Sequence, residues 1–306
     1  MNLREWALPV YTILMQLSVG SLAVLWTIRA VFLPKYGEDE MERMMRNPVA
    51  IILITILAAM IGSFFHLSRP YFSFLAILNF DRSWLSREVF FTILMFGSVT
   101  LLWYLQANVA HHTRLKTLLG WAGVVFGLSA TYSMTHCYLI PTQASWNTLF
   151  TVTSFYSSIL MSGVSASISM IMLDLQYSQI RNPGNIENRT EIIRRSFPVL
   201  ALVVSIVFVS ILAQYGFLFR TLNAGDPTAQ ASLQLYQGLY RPLLIFRLAA
   251  GLVGVIWLWI AVVRILRGKL QMENYGFNAY AAFLWIMIGE VLGRFLFYAT
   301  HVRLGL

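Results

Sequence analysis

Few residues in this sequence could do chemistry, and the densest group runs from His66 to Glu88. It reads His-Leu-Ser-Arg-Pro-Tyr-Phe at one end and Asp-Arg-Ser-Trp-Leu-Ser-Arg-Glu at the other. A neutral imidazole can accept a hydrogen bond from a hydroxyl and take its proton, and a carboxylate can relay that proton to water. At the edge of a bilayer this pair suits oxidation or reduction of a quinone, whose two ring oxygens exchange protons as electrons leave or arrive. The same residues also suit a capped helical hairpin carrying a surface histidine: Pro70 stops the helix that ends near His66, Ser86 is placed to cap the next one, and Glu88 falls in its first turn.

Two further groups share these traits. His136-Cys137-Tyr138-Leu139-Ile140-Pro141-Thr142, followed by Ser145-Trp146-Asn147, joins two apolar stretches. Tyr138 and Trp146 there fit either a binding site or an interfacial aromatic belt. Gly289-Glu290-Val291-Leu292-Gly293-Arg294 puts a carboxylate and a guanidinium four residues apart on one helical face, which predicts a structural ion pair between Glu290 and Arg294. Arg247 stands alone in an apolar stretch and needs an acidic or carbonyl partner.

The elements that must position these residues are membrane helices. Of the 306 residues, 58% are hydrophobic and only 11% charged, so water is not the main solvent of this protein. A bilayer crossing takes about 20 mostly apolar residues. Eight such runs are present, at 9–33, 46–66, 89–109, 117–140, 146–173, 197–219, 243–266 and 279–302. They predict an all-α, polytopic membrane protein: one integral domain over 1–306, arranged as two packed four-helix bundles. The first run lacks a small-residue cleavage site and is expected to be retained as a span. The longer connections, 34–45, 67–88 and 220–242 with the charged 174–196, are too short for a separate domain. The basic ones read as solvated topology anchors.

The net charge of +9 matters through its placement. Thirteen Lys and Arg fall at the connections after spans 1, 3, 5 and 7, and seven on the other side, which places both termini outside the cytoplasm. On that topology His66, Glu88, His136 and His301 all lie near the outer face. A single cysteine, Cys137, rules out an intrachain disulfide and an iron–sulfur cluster held by this protein alone. With so few ionisable groups and no cofactor motif, the protein is not a self-sufficient enzyme.

Taken in order, these segments resemble the membrane anchor subunits of the dimethyl sulfoxide reductase type, within the molybdopterin oxidoreductase complexes. The likeness runs from Glu5-Trp6 with Thr12, Gln16 and Gly20, through His66-Leu67 and Ser86-Arg87-Glu88, to Tyr138, Trp146, Arg247, Glu290 to Arg294 and Phe297-Tyr298. It implies a multi-pass protein of the bacterial inner membrane that takes electrons from menaquinol or another quinol. Those electrons would pass to an iron–sulfur subunit docked on the outer face, and on to a molybdopterin catalytic subunit in anaerobic respiration. The terminal reduction would therefore happen in another subunit. The resemblance also implies His66 and Glu88 as the proton-handling pair, with Ser68, Arg69, Tyr138 and Arg247 as further quinol contacts and no metal or haem bound. Ser68 stands where the family often has glycine, and Phe72 where it often has a basic residue, so the resemblance does not carry over the detailed headgroup pose.

Two other readings stay open on the residues alone. A haem-b anchor needs histidines paired across helices as axial ligands; here the histidines offer no pairs at both depths, which leaves at most one haem near the outer face. A secondary transporter needs midplane sites on broken helices, and the midplane charges are chiefly Arg247 and Glu290.

Overall fold

A computed structural model describes residues 3–65, 78–109, 112–181, 187–267 and 272–302. Among these, every regular element is a helix: α1 (Leu3–Phe64), α2 (Trp84–Asn108), α3 (Thr113–Tyr138), α4 (Leu149–Arg181), α5 (Glu187–Asn223), α6 (Pro227–Gln237), α7 (Arg241–Leu266) and α8 (Met272–Ala299). Seven of them are long and apolar enough to cross a membrane. The first does so twice. A straight helix of its length would run about 90 Å, three times the hydrocarbon thickness of about 30 Å. Gly37, at φ 78° and ψ 172°, breaks it. Only glycine adopts that conformation without strain, and the second arm returns along the first: a methyl group on Gly62 would lie 4.0 Å from Val10 Cγ1. The eight spans read from the sequence are all present, two of them as arms of α1.

The spans form two groups of four. The arms of α1 pack with α2 and α3, and α4 packs with α5 and α8, while α7 lies against α5 and α8. The groups meet where α1 crosses α4, a helix buried along most of its length. With no water to expel from between helices, close van der Waals packing holds such a seam. A methyl on Gly163 would sit 2.3 Å from Gly20 Cα, so the two backbones touch there. Beside the contact the Ser21 hydroxyl donates to the Gly163 carbonyl oxygen at 3.4 Å, and the Ser167 hydroxyl donates to the Ser21 carbonyl oxygen at 3.3 Å. Gly120 likewise leaves room for the Trp26 ring, whose Nε1 donates to the Thr117 carbonyl oxygen at 3.0 Å, locking α1 to α3.

At the end of the bundle that carries the Gly37 bend, the charged connections are not merely solvated anchors. Lys116 is wholly buried and donates to Glu42 at 2.5 Å and to the Val109 carbonyl oxygen at 2.8 Å, with Glu38 at 3.7 Å. Arg189 is buried between Glu40 at 3.2 Å and Asp174 at 2.9 Å, and Asn47 donates to the same Asp174 carboxylate at 2.7 Å. The reason is geometric. The helices run on past the apolar windows, so their charged ends still pack side by side and must pair.

Candidate functional site

The other end of the bundle gathers the start of α1, the starts of α2, α4 and α7, and the ends of α3, α5 and α8. The local fold around Glu88 departs from the sequence expectation by one turn. Ser83, not Ser86, caps α2: it is extended at φ −119° and accepts from the Ser86 amide at 3.3 Å. The preceding turn sets this, because Arg87 donates from Nε to the Phe80 carbonyl oxygen at 2.9 Å and from Nη2 to that of Asp81 at 2.8 Å. The Arg87 guanidinium also lies over the Trp84 ring at 4.2 Å. Glu88 is therefore beyond the first turn and only 6% exposed.

Its partners are neutral. The Cys137 thiol donates to Glu88 Oε2 at 3.6 Å, and the Tyr11 phenol, 3.2 Å from the Thr92 hydroxyl, also lies against the carboxyl. No cation pairs with Glu88 among the described residues. A buried carboxyl held by hydroxyl and thiol groups can take up a proton and give it back, whereas an ion-paired carboxylate is held in one charge state.

Tyr138 is brought to the same place. Its phenol hydrogen-bonds that of Tyr298 at 2.5 Å, and both rings lie within electrostatic reach of Glu88 and Arg294. Around them Trp146 stacks on Phe297, with ring centroids 5.4 Å apart, and donates from Nε1 to the Phe297 carbonyl oxygen at 2.8 Å. His301 also stacks on Trp146, with ring centroids 4.5 Å apart. His136 touches both Trp84 and Tyr132, with ring centroids 4.2 Å away in each case, and its Nδ1 donates to the Tyr132 carbonyl oxygen at 2.9 Å.

The predicted ion pair between Glu290 and Arg294 does not form. Both residues face α4, but each finds a different neighbour. Glu290 accepts from the Ser158 hydroxyl. Arg294 reaches across to α1, donating from Nη2 to Gln16 Oε1 at 2.9 Å with its guanidinium 3.7 Å over the Phe155 ring. Two buried donor groups there, Gln16 Nε2 and Arg294 Nε, have no hydrogen-bond partner.

Arg247 does find the carbonyl partner it needs: its Nε donates to the Gly289 carbonyl oxygen at 3.3 Å and its Nη1 to the Tyr215 phenol. Its guanidinium occupies the space above Gly293, where a methyl would lie 2.2 Å from Nε. Arg247 thus faces α5 and α8 rather than Glu88. Of the residues singled out in the sequence, Glu88 and Tyr138 come together and Arg247 stands apart. His66, Ser68 and Arg69 lie outside the described residues.

Sequence reasoning missed Tyr11, Thr92, Phe155, Ser158 and Tyr215. The only signal for them is polarity or aromaticity inside an apolar run. Uncharged hydroxyls are cheap enough in a membrane to draw no notice.

Comparison with known proteins follows the same outline. The family described as "DMSO reductase anchor subunit (DmsC)" matches residues 1–300. The protein is 24% identical over 312 residues to the anaerobic dimethyl sulfoxide reductase subunit YnfH of Escherichia coli K12, an alignment that spans 99% of this protein and 97% of that one. It is 25% identical over 309 residues to the C subunit of the E. coli anaerobic dimethyl sulfoxide reductase, spanning 99% and 97%. With the C subunit of the Haemophilus influenzae anaerobic dimethyl sulfoxide reductase it shares 23% identity over 311 residues, spanning 100% and 98%.

Proposed function

Because this protein belongs to the DMSO reductase anchor subunit (DmsC) family, we propose that it oxidises a quinol, menaquinol or a relative, at the end of the bundle that holds Glu88. The electrons pass to an iron–sulfur partner docked over that end, and from there to a molybdopterin catalytic subunit. In this reading the Glu88 end faces outward from the bacterial inner membrane, as the excess of Lys and Arg on the bend side supports, and both termini lie outside the cytoplasm.

The observation that carries the proposal is the Glu88 carboxyl, buried with neutral partners and no counter-cation among the described residues. A quinol, when bound, supplies two electrons and two protons. Glu88 accepts one proton at a carboxylate oxygen and passes it toward water. His66, at the end of the preceding span by sequence, takes the proton of the other hydroxyl. The Tyr138 and Tyr298 hydroxyls can orient a ring oxygen, and the stacked rings of Trp146 and Phe297 exclude water around it. The spare donors on Gln16 and Arg294 offer further contacts to a carbonyl oxygen. Arg247 acts at one remove, holding α8 through Gly289 and α5 through Tyr215.

The test is quinol-dependent electron delivery in membranes that hold the assembled complex. Glu88→Gln and His66→Ala should each lower turnover roughly hundredfold, the usual scale for a lost proton-transfer group. Electron delivery from an artificial donor to the partner subunits should be unchanged. Wild-type turnover in both variants, with the complex assembled, would refute the site.

A further inference from the structure

The bend-side end of the bundle holds a cavity of about 700 Å³ that the quinol reading does not use. Its charged walls are Glu40, Arg43, Arg46, Asp174 and Arg189. The two acids are already engaged, since Arg189 bridges them and Asn47 takes the second oxygen of Asp174. Arg43 and Arg46 are exposed and form no ion pair among the described residues; Arg43 donates only to the Asp39 carbonyl oxygen, at 3.3 Å. The cavity therefore presents two guanidiniums that have no acidic partner among the described residues, flanked by the half-exposed ring of Trp103 from α2. Guanidinium is the group that best matches the oxygens of a phosphate, and indole rings settle at the headgroup level of a bilayer.

A second observation extends this along the second arm of α1. Arg43, Arg46, Ala50, Ile54, Leu57 and Ile61 follow one another at intervals of three or four, so they form a single stripe on one helix face. The stripe begins with cations, passes the small Ala50 at the cavity, and continues as Ile54, Leu57 and Ile61, all strongly exposed. From Arg46 to Ile61 it rises about 22 Å, enough to cover a headgroup and one acyl chain in a half-bilayer of about 15 Å.

We infer that this cavity and stripe bind an anionic phospholipid, with its phosphate diester between Arg43 and Arg46 and an acyl tail along Ile54, Leu57 and Ile61. Net charge distinguishes it from zwitterionic lipids, whose ammonium group would meet the same arginines.

Native mass spectrometry of the full-length protein in detergent, titrated with dioleoylphosphatidylglycerol, dioleoylphosphatidylcholine or inorganic phosphate, tests this. One tight phosphatidylglycerol adduct is expected, with weak phosphatidylcholine binding. Arg43→Gln/Arg46→Gln should weaken the adduct roughly thirtyfold, about fivefold for each basic residue at an anionic surface. Arg264→Gln/Arg267→Gln, which removes charge from the same end of the bundle outside the cavity, should change it less than threefold or so on that scale. Ala50→Trp, which puts an indole between the two arginines and the apolar stripe and keeps both arginines, should also lose the adduct and guards against a folding defect in the double variant. Equal binding of the two lipids, equal losses in both double variants, an unchanged adduct in Ala50→Trp, or displacement of the lipid by millimolar inorganic phosphate would each overturn the inference.

Discussion

Replacing Gly163 with alanine offers a quantitative test of how the two halves are joined. The added methyl carbon would stand 2.3 Å from Gly20 Cα, 2.4 Å from Gly20 C and 2.7 Å from the Ser21 amide nitrogen. Carbon atoms rest at about 3.5–4.0 Å, so α1 and α4 must part by at least about 1.2 Å at the crossing. The obstacle is backbone on both sides, and no side chain can swing away. Overpacking of this kind costs about 1–3 kcal/mol. The Ser21 and Ser167 bonds across the seam, already 3.4 and 3.3 Å long, would lengthen beyond use at about 0.6 kcal/mol each. The expected loss is about 2–4 kcal/mol. Gly97→Ala is the matched control, because nothing lies within 4 Å of its added methyl, and the better helix propensity of alanine should stabilise it by about 0.5–1 kcal/mol. The single Cys137, part-buried at the end of α3, reports unfolding through a thiol-reactive fluorophore during a thermal ramp. At about 2 °C per kcal/mol for a protein of this size, Gly163→Ala should melt roughly 4–8 °C lower and Gly97→Ala slightly higher than wild type. Equal midpoints for the two variants would refute the claim that the backbones touch.

Other expectations concern charge. Lys116→Met strands the Glu42 carboxylate and should destabilise the protein by about 3–5 kcal/mol, whereas Lys116→Met/Glu42→Gln should recover most of that loss; the same thermal ramp reads both. Asp226 caps α6, accepting from the Thr228 hydroxyl at 2.6 Å and the Ala229 amide at 2.8 Å. These bonds, the hydroxyl foremost, hold its carboxyl below the usual aspartate range. A depressed folded-state pKa means that the cap stabilises at neutral pH and is lost as pH falls through that lowered value. The protection of the Ala229 amide, its exchange measured against the intrinsic rate at each pH, should therefore fall in acid, while Asp226→Asn, which caps without titrating, should show no such step.

Hydropathy made the spans legible, because bilayer thickness dictates helix length whatever the helices touch. It could not show that α1 runs helically through its bend to a single break at Gly37, nor that 220–242 holds α6 on an Asp226 cap. Glu88 was legible as an ionisable group where charge is costly. Its depth was not, because the turn fixed by Arg87 puts the cap at Ser83. Glu290 and Arg294 misled for a related reason: spacing of four shows that two side chains share a face, and says nothing of better partners on other helices, here Ser158 and Gln16. Lys116 and Arg189 looked like surface anchors because sequence counts a charge without seeing what packs over it.

The buried pairing of Lys116 also orders events in time. Glu38 and Glu42 emerge from the ribosome well before their partner, which follows Glu42 by 74 residues. At about 5–20 residues per second this is a wait of roughly 4–15 seconds. For that interval the hairpin of α1 sits in the bilayer with Glu38 and Glu42 short of their lysine, and the charge keeps the tip at the water face. The tip is drawn in only when α3 arrives, so insertion of the first two spans is completed by the fourth.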